Sequence, residues 1–294
     1  MSDSVVGGAG AKGSTAPAPL VTVAACQLGP ELGEVSANLH KVEVAVTLAA
    51  ESGARVVVLP ELVTTGYAFE SVQEARGLAE RVDGRSLMAV TALAAAHDLV
   101  IVGGFAELAA GGEVYNSAFL IDRSGVRVVY RKVHLWADEG RWFTAGSQPP
   151  AVVDTDRGRI AIVICYDLEF PEWTRLAALD GADLLCVPTN WPASSVPGRE
   201  RPIEVVRAQA TASVDRVFVA VCDRVGPERG TDWVGGSAVI GPDGYPLALA
   251  EPGGGPQTLL TLCDLRLARD KSTSAVNNVV TDRRPELYGR ITTA

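Results

Sequence analysis

Residues 162–172, with the sequence IVICYDLEFPE, combine residue types that could support covalent catalysis. An apolar run ends at Cys165 and is followed at once by polar residues. Free cysteine is among the most frequently buried residue types, so one interpretation of Cys165 is a core thiol. A cysteine at a strand end is also well placed to act as a nucleophile. The choice depends on what other strands deliver to the same place.

Two further strand-like runs end in ionisable side chains. The run RVVVLPELVTTGY carries Glu61, and the run VRVVYRKVHLW carries Lys132. In α/β sheets, functional residues collect just past the strand ends. We therefore expect Glu61, Lys132 and Cys165 to meet at one sheet edge, where an acid, a base and a thiol are the set that a covalent hydrolase needs.

The chemistry assigns a task to each residue type. A thiol with a pKa of about 8.5 is mostly protonated at neutral pH, so a base must take its proton. Glu61 can do so if burial raises its own pKa. Lys132 and the backbone N–H of Tyr166 can stabilise the oxyanion that forms on attack. Glu61 and Lys132 also fit a structural interpretation as solvated side chains, and the residue types alone leave both interpretations open.

The elements that position these residues alternate between strand and helix. Runs rich in Val and Ile recur, and several are apolar throughout, as expected when both faces of a sheet are covered. Residues 117–122 and 126–131 form a hairpin-like pair. The alternation predicts an α/β fold with mixed sheets. The predicted strands are 21–26, 55–60, 99–104, 117–122, 126–131, 159–165, 183–188, 216–223 and 236–241, and the predicted helices are 33–54, 86–98, 171–182 and 202–215.

Composition excludes several classes of function. The 294 residues have ordinary globular composition, with 47% hydrophobic and 21% charged residues, and could form one large domain or two small ones. A net charge of −9 argues against a nucleic-acid-binding groove. No apolar run approaches the roughly 20 residues needed to span a membrane. The small, polar residues 1–19 predict a disordered tail without the features of a signal peptide.

Cysteine and histidine usage predicts a reducing compartment and no metal. The five cysteines are scattered without close pairs, which indicates reduced thiols and hence the cytoplasm. The three histidines are far apart, and no Cys or His stands at metal-ligand spacing.

From about Leu20 to the C-terminus, the chain resembles the carbon–nitrogen hydrolase (nitrilase) superfamily. The blocks LPELVTTGY, YRKVHLW and ICYDLEFPE occur in the order typical of that family. The resemblance implies a triad in which Glu61 is the general base, Lys132 stabilises the tetrahedral intermediate and Cys165 is the nucleophile. It also implies a single domain over residues 20–294 with a four-layer α-β-β-α sandwich of two mixed sheets. It further implies homodimers or higher homo-oligomers and no required cofactor.

A fourth residue of the resemblance is Glu139. In KVHLWADEGRWFTAG it lies four residues before Phe143 and matches the family's second glutamate, which helps to position substrate and lysine. Its structural alternative is a solvated loop acid. The chain departs from the family pattern at Ala145, where a proline usually precedes the glycine, and we expect this to alter only loop rigidity.

The branch of the family is predicted from the residues after the nucleophile. Tyr166-Asp167 resembles the amidase branches, whereas true nitrilases usually carry Trp-Glu and N-carbamoyl-amino-acid hydrolases often carry Asn. We expect a thiol amidase that converts small aliphatic or amino-substituted carboxamides to the acid and ammonia through a cysteine thioester. The alternatives are an N-carbamoyl compound hydrolase, a nitrilase and a catalytically silent binding subunit. A carbamoyl substrate usually carries a carboxylate, and candidate arginines for it are Arg175, Arg199 and Arg201.

Candidate substrate contacts are Tyr67, Trp136, Asn190 and Trp191. The segment PTNWP resembles a strand-end segment that lines the substrate site in several amidases. Trp191 fits equally well as a structural aromatic under a loop, because tryptophan buries a large area wherever it lies. His134 is interpreted as a hydrogen-bonded supporting residue and Asn116 as structural.

Overall fold

The computed structural model describes residues 20–193, 200–251 and 253–293, so the predicted tail 1–19 lies outside the described residues. Within these ranges the chain forms strands and helices that alternate over most of its length. The strands are β1 (Leu20–Gln27), β2 (Val56–Val58), β3 (Val100–Leu108), β4 (Val114–Asp122), β5 (Gly125–Arg131), β6 (Val152–Thr155), β7 (Gly158–Ile162), β8 (Leu184–Pro188), β9 (Phe218–Cys222), β10 (Ala238–Ile240), β11 (Pro246–Leu249) and β12 (Gln257–Asp264). The helices are α1 (Val35–Glu51), α2 (Val72–Leu78), α3 (Arg85–His97), α4 (Glu139–Trp142), α5 (Pro171–Leu179) and α6 (Ile203–Asp215).

The strands form two mixed sheets of six strands each. The first sheet has the order β12-β1-β2-β3-β4-β5, and the second has the order β11-β10-β9-β8-β7-β6. In each sheet three central strands are parallel, β1 to β3 in the first and β7 to β9 in the second, and the outer strands are antiparallel. The predicted α/β fold with a four-layer sandwich and two mixed sheets is thus confirmed.

Alternating side chains of β1 show how the layers are filled. Val23 and Ala25 belong to the main core, which also contains Ile160 of the second sheet. Ala24 and Cys26 face the other way and pack in a second cluster with α1 and α3. On the far side of the second sheet, α5 and α6 contribute buried alanines to the main core. Central strands are therefore covered on both faces, which explains their continuous apolar runs.

All nine predicted strands and all four predicted helices are present, with shifted ends. The pattern did not predict α2, α4, β6, β11 or β12. Strand β12 pairs antiparallel with β1 at the edge of the first sheet, and its Leu260 and Leu262 are exposed. It contains three leucines in place of the Val and Ile that mark the central strands, so its strand signal is weak.

The helices are short by comparison with a membrane span. The longest, α1, has 17 residues. Across the described ranges, none combines the length and apolarity that crossing a bilayer requires.

Candidate active site

The three predicted reacting residues follow strands of two different sheets. Glu61 follows β2 and Lys132 directly follows β5, so both come from the first sheet. Cys165 follows β7 of the second sheet. The expectation that one sheet edge carries all three is therefore corrected: facing strand ends of two sheets bring them together. The charges of the buried pair act on the Cys165 thiol: Glu61 raises its pKa and Lys132 lowers it.

Lys132 joins two buried carboxylates at the centre of the site. Its Nζ donates to Glu61 Oε1 at 2.8 Å and to Glu139 Oε1 at 2.7 Å. Asn116 Nδ2, on β4, also donates to Glu61 Oε1, at 2.7 Å. Glu61 Oε2 is buried and has no hydrogen-bond partner among the described residues. One oxygen of the Glu61 carboxylate is thus held by two donors, which orients the group and leaves the other oxygen able to accept a proton.

Asn190 links the turn of Cys165 to the turn of Glu61. Cys165 Sγ lies 3.9 Å from the carbonyl oxygen of Asn190, and Asn190 Nδ2 donates to the carbonyl oxygen of Glu61 at 2.9 Å. Asn190 follows β8, the neighbour of β7 in the second sheet. This contact fixes the distance between two elements that come from different sheets.

Left-handed backbone conformations cluster around the site. Leu62, Ala137 and Cys165 have φ values of 48°, 49° and 46°, which non-glycine residues rarely adopt. They stand at, or within two residues of, Cys165, Glu61 and Glu139. Each such conformation costs on the order of 1–3 kcal/mol and persists only where the surrounding structure imposes it. For Cys165 it produces the sharp turn from β7 into the 3-10 turn Cys165–Glu169.

Burial and mutual charge shift the pKa values of the site. Burial raises the pKa of Glu61 to about 7, with Lys132 opposing the shift and Glu139 reinforcing it. Burial alone would lower the pKa of Lys132, but Glu139 and Glu61 outweigh it, so the ammonium is stabilised. Burial raises the pKa of the Cys165 thiol well above its ordinary value, and Glu61 adds to this effect. The thiol is therefore protonated at rest beside a carboxylate that titrates near neutral pH.

Asp167 connects the segment that carries Lys132 to the turn that carries Cys165. Its carboxylate accepts hydrogen bonds from the Tyr130 hydroxyl at 2.7 Å and from the Ile164 N–H at 3.1 Å. It also accepts from the His134 N–H at 3.0 Å, and His134 Nδ1 lies 2.7 Å away. The His134 ring stacks on Phe170 with centroids 3.8 Å apart. His134 thus holds the supporting place expected of it, through an aspartate that the sequence marked only as part of a branch motif.

A cleft of about 250 Å³ adjoins the charged centre at Glu139. Tyr67 lines it and donates its hydroxyl to Glu139 Oε1 at 2.7 Å. Its charged lining residues are the acids Asp138 and Glu139, and among the described residues none of the lining is basic. The aromatic lining residues are Tyr67, Phe69, Trp136, Trp142, Phe143 and Trp233.

Of the four predicted substrate contacts, two line the cleft and two do not. Tyr67 and Trp136 line the cleft, and Trp136 is 38% exposed. Asn190 and Trp191 do not line it: Asn190 contacts the turns described above, and Trp191 is packed in the main core. The structure therefore supports the structural alternative for Trp191, because its backbone N–H donates to Asp223 Oδ1 at 3.0 Å and its side chain packs in the main core.

Sequence reasoning missed three residues of this region. Asn116 was expected to be only structural, but it contacts Glu61 because strand pairing places it beside Lys132, whose N–H donates to its carbonyl oxygen at 2.8 Å. Trp142 stands three residues after Glu139, one helical turn away, which is a signal that could have identified it. Trp233 is distant along the chain and carries no such signal.

The site's acids are engaged with Lys132 and Asn116, and the structure offers no alternative metal site in the parts that it describes. No group of three or more His, Cys, Asp or Glu side chains in residues 20–193, 200–251 and 253–293 is arranged to hold a metal ion.

The sequence model of the carbon–nitrogen hydrolase family matches residues 22–271. A nitrilase of Pyrococcus abyssi is 34% identical over 272 residues, covering 92% of this chain and all of that protein. A 2-oxoglutaramate amidase of Bacillus subtilis is 31% identical over 271 residues, covering 91% of this chain and 99% of that protein.

Similarity extends to solved structures. A mutant of the amidase from Nesterenkonia sp. AN1 carries the acetamide moiety of fluoroacetamide, covalently added at its active-site cysteine. It matches with a TM-score of 0.78 and 27% identity, covering 94% of this chain and 99% of that chain.

Proposed function

Since this chain belongs to the carbon–nitrogen hydrolase family and resembles its amidases, we propose that it is a thiol amidase. It hydrolyses small aliphatic or amino-substituted carboxamides to the acid and ammonia through a cysteine thioester. The observation that carries this proposal is the buried bridge of Lys132 between Glu61 and Glu139 beside the Cys165 thiol. Burying a cation and two acids carries a large desolvation cost. Such clusters of buried ionisable groups are typical of functional sites.

In the proposed acylation, Glu61 accepts the thiol proton while Cys165 Sγ attacks the carbonyl carbon of the amide. A base with a pKa of about 7 suits this transfer at neutral pH. The negative charge that develops on the carbonyl oxygen is stabilised by Lys132 and by the N–H of Tyr166, the second residue of the 3-10 turn, whose first N–H groups have no partner within the turn. Glu61 returns its proton to the nitrogen, the C–N bond breaks, and ammonia leaves.

In the proposed deacylation, a water molecule attacks the thioester. Glu61 accepts a proton from the water, the C–S bond breaks, and the thiolate of Cys165 takes the proton back as the acid is released. Dividing the hydrolysis between two steps replaces one difficult attack by two easier ones. Glu139 supports both steps by accepting a second hydrogen bond from Lys132, beside the one that Glu61 accepts.

The lining of the cleft supports an acyl group that is neutral or carries an amino group. Aromatic walls favour apolar chains and also attract cations. The lining acids, Asp138 and Glu139, repel a substrate carboxylate.

The N-carbamoyl alternative receives less support. Arg175 is paired with Asp215 between α5 and α6, and Arg201 is hydrogen-bonded to Gln209 on the surface. Arg199 lies outside the described residues. The nitrilase alternative is favoured by the similarity to the Pyrococcus abyssi nitrilase and uses the same residues. A silent binding subunit would not need a complete set of Glu61, Lys132 and Cys165.

Ammonia release tests the proposal. The panel consists of aliphatic amides, ω-amino amides, N-carbamoyl amino acids and nitriles, with the wild type measured beside Cys165→Ala. We expect release from the first two classes and none from the variant. Release only from carbamoyl compounds or nitriles would move the protein to another branch, and release that survives in the variant would refute the nucleophile.

We also propose a single domain over residues 20–294 and assembly into a homodimer or a larger homo-oligomer. A main core shared by both sheets supports the single domain. Exposed apolar side chains on α5 and α6 support assembly. These are Leu176, Ile203, Val206 and Val214, each at least 40% exposed. Light scattering coupled to size-exclusion chromatography tests it, and a monomer at micromolar concentration would contradict it.

We further propose a cytoplasmic location. All five cysteines are unpaired thiols in the structure, which supports a reducing compartment.

A further inference from the structure

A buried ion pair lies beneath the cleft without contacting Glu61, Lys132 or Cys165 by hydrogen bond. Arg224 Nη1 and Glu228 Oε2 are 2.8 Å apart, and their side chains are 1% and 4% exposed. Both residues lie on the segment that follows β9. A buried ion pair often adds little net stability, so the groups around it are the better guide to its role.

Glu228 holds the backbone from which Tyr67 projects. Its Oε2 accepts hydrogen bonds from the N–H groups of Tyr67 at 2.9 Å and Ala68 at 2.7 Å. The preceding residue is Gly66, with a φ of 81°, and a Cβ added there would lie 2.6 Å from Glu228 Oε1. The glycine therefore lets the carboxylate approach the turn, and the carboxylate fixes the turn once it is there.

Arg224 supports a second aromatic residue of the same cleft, Trp233. Its guanidinium lies 4.6 Å from the ring centroid of Trp233, and its Nη2 donates to the carbonyl oxygen of Pro30 at 2.7 Å. The Trp233 ring meets Tyr67 edge to face, with centroids 5.4 Å apart. The ion pair thus fixes two aromatic walls relative to each other.

Tyr67 connects the ion pair to the charged centre formed by Glu61, Lys132 and Glu139. Its hydroxyl donates to Glu139 Oε1 at 2.7 Å, the same oxygen that accepts from Lys132 Nζ at 2.7 Å. A continuous series of contacts therefore runs from Arg224 and Glu228 through Tyr67 and Glu139 to Lys132.

We infer that Glu228, held by Arg224, is a positioning residue for the amidase reaction: it seats Tyr67 so that the Tyr67 hydroxyl orients Glu139 and, through it, Lys132. This inference rests on the proposed function. It assigns to the segment after β9 a part in the reaction that the sequence blocks around Glu61, Lys132 and Cys165 do not contain.

A double-mutant cycle between Glu228 and Tyr67 tests the inference. Glu228→Ala removes the acceptor for both backbone N–H groups and should lower kcat/KM for a neutral aliphatic amide at least about tenfold. Glu228→Gln keeps an oxygen that can accept from them and should lose clearly less. In a Tyr67→Phe background, which lacks the hydroxyl, Glu228→Gln and Glu228→Ala should each cost less than about twofold.

Asp215→Asn is the matched control. Asp215 is also a buried acid paired with an arginine, at 2.9 Å from Arg175, but it lies between α5 and α6, away from the cleft. This variant should lower Tm without changing kcat/KM. If the Glu228 variants merely destabilise the fold, they should resemble this control.

The same cycle is also read by the rate at which iodoacetamide alkylates Cys165, because this rate depends on Lys132 and Glu61 and not on the identity of the substrate. If the effects of the Glu228 and Tyr67 substitutions on kcat/KM or on the alkylation rate are fully additive in the double variants, the inference is overturned. If Glu228→Ala fails to fold, Glu228→Gln with and without Tyr67→Phe completes the cycle. A wild type that is inactive on all amides refutes the proposed function, while the alkylation cycle still decides the positioning role.

Discussion

Cys165 and Cys186 are two cysteines of the same sheet that differ in almost everything except burial. Cys186 lies inside β8 and pairs in register with Ile162, three residues before Cys165. Both are buried, and burial raises the pKa of both thiols. Neither burial nor pKa therefore separates a nucleophile from a core thiol in this protein.

The surroundings of the two thiols separate them. Among the described residues, the titratable neighbour that affects the pKa of Cys186 is another buried thiol, Cys263. Cys165 stands past the end of its strand in a left-handed turn, and Glu61, Lys132 and Glu139 act on it electrostatically. The left-handed turn and the charged groups that act on Cys165 thus distinguish the proposed nucleophile from Cys186, and the preceding apolar run does not.

Removing each thiol gives the largest contrast between the two sites. Cys165→Ala should lower kcat/KM for amides by at least about 10⁴-fold, because no other group can form the thioester. Cys186→Ala should keep full activity and lower the free energy of unfolding by about 1–2 kcal/mol through a small core cavity. Ammonia release and chemical denaturation measure the two effects. Equal activity losses in both variants would contradict the distinction between Cys165 as nucleophile and Cys186 as core thiol.

Removing the proposed base should have the next largest effect. Glu61→Gln is isosteric but cannot accept the thiol proton, so kcat should fall by about 10²–10⁴-fold. The matched control is Glu107→Gln, since Glu107 is also a buried acid paired with a cation, Arg131, at 2.6 Å. It should lose stability but less than about threefold in kcat. An active Glu61→Gln enzyme would point to another base for Cys165.

The pH dependence follows from the raised pKa of Glu61. Only the carboxylate form accepts a proton, so kcat/KM should fall as pH drops below about 7 and reach roughly a tenth of its maximum at pH 6. Burial also raises the pKa of Asp223 to about 7, so protonation of Asp223 could cause the same fall in kcat/KM at low pH. Asp223→Asn should leave the fall in kcat/KM below pH 7 unchanged. Its disappearance in that variant would transfer the titration to Asp223.

The smallest expected effect concerns the cleft. Trp136→Ala removes a partly exposed aromatic wall and should raise KM for aliphatic amides about three- to tenfold with little change in kcat, because only binding contacts are lost. Steady-state kinetics over the chain-length series measures this. A fall in kcat with unchanged KM would mean that Trp136 acts on the reacting groups around Cys165.

The sequence predicted the central strands and the four long helices because buried strands are apolar throughout and helices repeat every 3.6 residues. It did not predict β12, whose exposed leucines weaken the pattern, or the division of the reacting residues between two sheets. Strand-end position is visible in a sequence, but which strand ends face each other is decided by the packing of the sheets.

Within the site, the residues inside recognisable blocks could be predicted, and those that enter by tertiary contact could not. Glu61 and Lys132 come from the blocks and Glu139 from the segment after the second block, and Lys132 donates to both acids. Asn116 reaches Glu61 through strand pairing, and Glu228 reaches Tyr67 from 161 residues away. No local spacing reports contacts of that kind. Trp191 shows the converse, since its strand-end motif suggested the cleft and its ring packs in the core.

Site-resolved alkylation tests the central claim most directly. Wild-type enzyme is treated with iodoacetamide, and each cysteine-containing peptide is quantified by mass spectrometry while residual activity is measured on the same samples. Cys165 should be labelled first, activity should fall in proportion to that label, and a saturating amide substrate should slow both. Enzyme that stays active with Cys165 fully alkylated, or loses activity in step with labelling of Cys26, Cys186, Cys222 or Cys263 instead, would contradict the account.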